Sequence, residues 1–417
     1  MNQAIIDYYR CPQNLAHFRL DGMVSEDSRR FSFQADEIIS NLRHERYAKN
    51  GDGIRARLAD SRMVRRLYYR LRPFLPFPLR RQLQRARLSD WKTIPFPQWP
   101  VDRTVEQLLE RLLMLSMEVQ GIRRVPFVWF WPDGAMSCAV MTHDVEQLAG
   151  RRFCSQLMDL DESMGIGSSF QVVPEGRYAV PEGFLEEIRD RGFEINIHDL
   201  NHDGRLFWNR EEFLRRAAEI NEYGRRYRAL GFRSGVLYRN QTWYGALQFS
   251  YDMSVPSVAH LEAQRGGCCS VMPFFIGRML ELPVTTVQDY SLFHILNDYS
   301  IDLWKQQLEA ITEQHGLASF IVHPDYIIEG RARATYQALL EHLARMREER
   351  KTWIALPREV DRWWRERSQM NVVFDARGWR VEGRGKERAR LAFATIVGNK
   401  LAFSVEERQC SPEPLSV

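Results

Sequence analysis

Several things that would decide the class of this chain at once are missing from it. Its 417 residues hold no apolar run near the roughly 20 residues that a membrane-spanning helix needs. The start, Met-Asn-Gln-Ala-Ile-Ile-Asp-Tyr-Tyr-Arg, has neither the basic head nor the apolar core of a secretory signal. The 6 cysteines form no Cys-x-x-Cys pair, and adjacent Cys268 and Cys269 are poor disulfide partners, so a reducing, cytoplasmic compartment is expected. Net charge is scarce as well: 58 Lys+Arg against 54 Asp+Glu leave +4, which excludes a polycation. Internal repeats and low-complexity segments are absent. What is present, 44% hydrophobic residues, suffices for a sizeable core and excludes wholesale disorder.

The charge is unevenly spread. Between Arg55 and Arg87 lie eleven arginines and one acid, Asp60, so this window carries about +10 and the remainder of the +4 chain about −6. Tyr68, Tyr69 and the run Leu71–Leu79, rich in proline, interleave with it. Two readings stay open: a surface for anionic lipid or phosphates, at the inner face of the membrane, or an arginine-rich docking segment paired with acids elsewhere. From residue 139 strand and helix patterns alternate. Strands are expected at 139–141, 169–173 and 193–197, then near Phe232, 249–252, 268–275, 281–285, 319–322 and 353–356. Helices are expected over 155–164, 181–191, 211–229 and 334–349, the last with Tyr336, Leu339, Leu340, Leu343 and Met346 on one face. Repeated βα units predict an α/β chain with a parallel sheet or barrel. Three regions follow: a partly helical, Arg-rich accessory region 1–124, the βα-patterned region 125–366 and a small β-rich appendage 367–417. The aromatic run Pro126–Pro132 reads as a packing strand or a sugar-stacking surface, and Trp363-Trp364 as a helix contact.

Four polar clusters fall where strands end, the place where barrel and α/β enzymes carry their sites. Asp144 and Glu146, two apart in extended chain, aim two carboxylates at one point, while His143, next to Asp144, is turned to the other side by the alternation and reads as structural. His198 and His202 stand four apart, and in a helical turn would share a face within reach of one cation. Two imidazoles and one carboxylate make a three-ligand set with an open position. Arg233 closes another strand, and His323 ends the apolar run 320–322. Asp199 and Asp203 either orient the histidines or belong to a solvated turn.

In this order, Asp144-Val145-Glu146, His198-x-x-x-His202, Arg233 and Val322-His323 resemble the motif series of the polysaccharide deacetylase family, homologous to the chitooligosaccharide deacetylases. The resemblance covers about residues 125–360 and implies a distorted (β/α)7 barrel with a divalent metal, usually zinc. In the family's Asp-Val-Asp variant the base comes first and the ligand two residues later, which implies Asp144 as base and Glu146, His198 and His202 as ligands. The family's Arg-x-Pro-Tyr stands here as Arg233-Ser-Gly-Val, without the Pro and Tyr. Its fourth motif, an Asp beside the catalytic His, has two candidates, Asp252 and Asp289. The implied reaction is removal of N- or O-acetyl groups from a sugar or polysaccharide intermediate, as in exopolysaccharide biosynthesis. A metal activates water and polarises the carbonyl, Asp144 takes the proton, Arg233 keeps Asp144 ionised, and His323 protonates the leaving group. The alternatives are an allantoinase-like C–N hydrolase on the same barrel and a non-catalytic glycan-binding or assembly protein. A nucleic-acid partner rests on the Arg55–Arg87 window alone and is not expected.

Overall fold

Among the described residues there are fourteen strands: β1 (Arg124–Val128), β2 (Ser137–Val145), β3 (Ser168–Val172), β4 (Glu194–His198), β5 (Gly231–Arg233), β6 (Tyr251–Asp252), β7 (Phe274–Ile276), β8 (Met279–Glu281), β9 (Leu317–Ile321), β10 (Thr352–Ile354), β11 (Asn371–Asp375), β12 (Gly378–Glu382), β13 (Leu391–Val397) and β14 (Lys400–Val405). The α-helices are α1 (Gln3–Tyr9), α2 (Glu26–Arg43), α3 (Phe77–Arg87), α4 (Thr104–Val119), α5 (Leu148–Ser163), α6 (Glu182–Asp190), α7 (Arg210–Tyr227), α8 (Asp302–Thr312), α9 (Gly330–Glu349) and α10 (Pro357–Gln369). The structure, a computed structural model, describes residues 3–12, 26–49, 76–376 and 378–406. Most of the Arg55–Arg87 window therefore lies outside the described residues, with α3 as its described end. Among the described residues, no helix is long and apolar enough to cross a membrane.

Two compact units divide the chain, one drawn from Ser40–Val105 and Ser137–Asp361, the other from Met1–Ile39, Glu106–Met136 and Arg362–Val417. The first holds a nine-stranded sheet. Every residue of β2 is buried, so Cys138, Val140 and Met141 pack on one another's neighbours without any alternation, as a strand covered on both faces requires. Parallel pairing runs β2-β3-β4-β5-β6-β8, with β9 on the other edge of β2 and β10 beside its start; only β7 and β8 pair antiparallel. The sheet curls back on itself irregularly. Past β8, the hydroxyls of Thr285 and Thr286 donate to the carbonyls of Leu317 and Ser319 at 2.7 and 2.8 Å, where a regular ladder would close the ring. This is the distorted α/β barrel that the βα pattern and the motif series imply.

Helices pack on the outside of the curled sheet. On α9, Tyr336, Leu339, Leu340, Leu343 and Met346 are all buried, as the 3.6-residue period predicts, and each large apolar side chain contributes about 1.5–3 kcal/mol by leaving water. The segment 268–275 departs from the expected long strand. Cys269 sits at φ 54° after Gly266 and Gly267 at φ 115° and 143°, and a Cβ on Gly267 would lie 2.2 Å from the Ser257 carbonyl oxygen, so only Phe274–Ile276 is extended and paired. In the second unit β13 pairs antiparallel with β1 and β14, and β11 with β12; all but β1 are short C-terminal strands. Trp363 Nε1 donates to the Phe130 carbonyl at 2.8 Å, and Trp131 and Trp364 pack at 5.5 Å, so these rings are core.

Candidate metal centre and active site

Parallel strands bring their C-terminal ends to one rim, and four of them deliver side chains there. Asp144 lies at the end of β2 and Glu146 just beyond it; His198 ends β4, Arg233 ends β5, and His323 follows β9 by two residues. Tyr178 steadies the first of these ends, its hydroxyl donating to the Val145 carbonyl at 2.7 Å.

Glu146, His198 and His202 place ligand atoms within 4.8 Å of one another, and no other such group of three occurs among the described residues. The two imidazoles do not meet through a helical turn. Asp199 and His202 both take left-handed backbone (φ 57° and 52°), folding the chain into a tight loop that brings the rings to 4.7 Å. The loop fits closely: a Cβ on Gly235 would sit 2.5 Å from Asp199 Oδ2 and 3.0 Å from His202 Cδ2. Asp199 accepts from the Leu200 and Gly235 amides, and Asp203 pairs with Arg216 at 2.8 Å, so neither bonds an imidazole. His198 Nδ1 donates to the Arg233 carbonyl at 3.2 Å, which leaves Nε2 with its lone pair toward Glu146. Both Nε2 atoms, 3.7 and 2.8 Å from Glu146 Oε1, are buried without a properly directed hydrogen bond. Orphaned nitrogens aimed at a carboxylate are what a divalent cation satisfies, so the residues fit one. Arg177, which the sequence reading did not single out, donates to the His202 carbonyl at 2.5 Å and stands 3.2 Å from its Nδ1.

Asp144 and Arg233 form a buried ion pair at 2.6 Å. The guanidinium is itself fixed, donating to Thr142 Oγ1 at 2.7 Å and the Met253 carbonyl at 2.9 Å. Burial pushes the Asp144 carboxyl up, but the Arg233 charge, with the imidazoles of His198 and His323, outweighs it and holds the group below the usual carboxylate range. Glu146 is likewise penalised by burial and held well below that range, chiefly by His202. The same pairing raises His198 against the burial that would lower it.

Of the two aspartates open for the fourth motif, Asp289 is the one that touches His323. It accepts from the His323 amide at 2.7 Å and meets Nδ1 at 2.6 Å, while His323 Nε2 lies 3.5 Å from Glu146 Oε1. Burial lowers the His323 pKa, yet Asp289 and Glu146 reverse this and raise it well above the ordinary imidazole value. Asp252 instead accepts from Ser254 Oγ at 2.7 Å and adjoins Glu281. His143 is structural, spanning the Val322 carbonyl and Asp161 at 3.1 and 3.0 Å.

No family model matches the chain, and no curated protein does. Among solved structures it is similar to a protein described as a polysaccharide deacetylase from Mycobacterium smegmatis, with 18% identity and a TM-score of 0.47 over 57% of this chain and 93% of that one. It is similar to one so described from Pseudomonas aeruginosa PAO1, with 13% identity and a TM-score of 0.44 over 56% and 92%. Puue allantoinase shares 13% identity, with a TM-score of 0.45 over 56% and 92%. The solved structures that this chain resembles include polysaccharide deacetylases.

Proposed function

We propose that the protein is a metal-dependent hydrolase removing N- or O-acetyl groups from a sugar or polysaccharide intermediate. One observation carries the reading: a Glu146–His198–His202 ligand set meets a buried ionised carboxylate and a buried charged imidazole at a single rim. Glu146, His198 and His202 would hold a divalent cation there, zinc by the chemistry of two imidazoles and a carboxylate, and when bound it would lower the pKa of water toward about 7 and polarise the carbonyl. Asp144, kept ionised by Arg233, accepts the proton of the attacking water. Thr142 and the Met253 carbonyl hold the guanidinium in place, so that the base keeps its orientation. His323, charged and oriented by Asp289, gives its Nε2 proton to the departing amine or alkoxide. Acetyl as the acyl group is supported by the motif series in the sequence. In the same reading the chain is cytoplasmic, and residues 55–87 hold it against anionic lipid.

The test is metal analysis of the purified protein together with acetate release from a panel of N- and O-acetylated sugars. About one divalent metal per chain and acetate from at least one sugar are expected. A metal-free protein that releases no acetate with zinc, cobalt, nickel or manganese added would sink the reading.

A further inference from the structure

His323 belongs to a cluster of rings that leads to the arginine-rich helix. Its ring lies 4.9 Å from that of Tyr326, which in turn lies 4.9 Å from His294 and 5.5 Å from Tyr290. Helix α3 packs against this wall: the Tyr290 hydroxyl donates to Gln84 Oε1, and Arg85 Nε donates to the His294 carbonyl at 2.8 Å. Arg81 stands one turn before Arg85, on the same face. Both are half-buried, and among the described residues neither has a carboxylate partner. The nearby acids are engaged elsewhere, Asp289 by His323, Glu262 by Gln288 at 2.6 Å and Asp90 by Arg265. Arg85 Nη2 is buried and has no acceptor among the described residues, which separates it from an ordinary solvated surface arginine, since an unmet buried donor is costly. The wall is electropositive: burial lowers the His294 pKa, Asp289 opposes this, and Arg81, His323 and Arg85 add to the lowering.

We propose that the acetylated sugar taken by this site carries a phosphate or diphosphate ester, seated on Arg81 and Arg85. This names the substrate class of the deacetylase reading and rests on it. Guanidinium forks one turn apart offer paired N–H donors to phosphate oxygens, which the unmet Nη2 of Arg85 calls for. Tyr290, Tyr326 and His294, between these cations and His323, would meet the sugar itself.

The experiment uses the full-length, metal-loaded protein and four probes: N-acetylglucosamine, its 1-phosphate, its UDP ester, and its diphosphate ester on a polyprenol in detergent. Acetate release should favour phosphorylated forms over the neutral sugar by about 10–100-fold in kcat/KM, mostly through KM, the range of charged hydrogen bonds. Comparison of the UDP and polyprenyl arms tells a soluble from a lipid-borne phosphate. In Arg81→Gln/Arg85→Gln the ratio should collapse toward one, and Arg81→Gln alone, which breaks no hydrogen bond or ion pair among the described residues, should lower it. Calorimetric binding of inorganic diphosphate decides the matter independently of turnover, and the double variant should weaken it at least about tenfold. Equal kcat/KM for neutral and phosphorylated sugars, or diphosphate binding indifferent to both arginines, would overturn the proposal while the deacetylase reading stands. Absence of acetate from every acetylated sugar tried overturns that reading instead, and diphosphate binding then judges Arg81 and Arg85 alone.

Discussion

Asp144 and Glu146 stand two residues apart and face the same rim, yet their neighbours differ: the Arg233 guanidinium at 2.6 Å and His198 at 3.6 Å for the first, the imidazoles of His202, His323 and His198 at 2.8, 3.5 and 3.7 Å for the second. Exchange of oxygen for an amide should therefore act differently at each. Asp144→Asn should keep its metal and lose turnover by roughly 10²–10⁴-fold, whereas Glu146→Gln should lose metal affinity and recover in part with added metal. Metal content and turnover measured on both variants check this, and the reverse pattern would exchange the two roles. At His323 the prediction concerns pH. Its raised folded pKa means that the charged form contributes stability fully below the unfolded value near 6.5, and this is lost as pH rises through the folded value. Asp289→Asn removes the largest raising influence, so the His323 pKa should fall and the alkaline limb of the kcat/KM profile should move to lower pH. An unmoved limb would deny His323 its proton-donating role. Gly235→Ala forces a methyl against Asp199 Oδ2, and the loop bearing His202 must shift. A weaker metal affinity, read by chelator competition, is expected.

Elements are tied together by buried polar bonds as well as by apolar packing. Asp161 on α5 accepts from His143 on β2 at 3.0 Å, Ser168 on β3 at 2.6 Å and Tyr336 on α9 at 2.5 Å. Asp161→Ala orphans three donors, each costing about 1–3 kcal/mol, so urea denaturation should show a loss of at least about 3 kcal/mol. A loss under about 1 kcal/mol would mean that water replaces the carboxylate. Strand β2 was legible as a short apolar run, β3 and β4 by apolar residues at alternate positions (Phe170 and Val172, Ile195 and Ile197), and the inner face of α9 by its 3.6 period. The stretch 268–272 was not, because its apolar composition suits a strand while the backbone of Gly266, Gly267 and Cys269 forbids a ladder. Among site residues, those at strand ends could be read from position. Asp289 could not be told from Asp252, since each is far from His323 along the chain and only packing separates them. Arg177 and Tyr326, in a bend and a turn, and Tyr290 and His294, in the short helical segment 289–296, had no signal in the sequence.

On the scale of the whole chain, the +10 window from 55 to 87 should bind anionic vesicles in a salt-sensitive manner. Cosedimentation at low and high salt measures it, and equal binding to neutral vesicles would dispose of the idea. The discontinuous unit has a different consequence, one of timing. Strand β1 has its partner in β13, where Arg124 faces Thr395, and at about 5–20 residues per second synthesis separates the two by tens of seconds. Throughout that interval Val125, Phe127 and Val128, all buried in the finished chain, have no strand to pair with, and an unpaired apolar edge invites wrong partners. Nascent chains halted at residue 370 should accordingly be protease-sensitive around 124–128 and prone to aggregate, until release of the last residues supplies the missing strand.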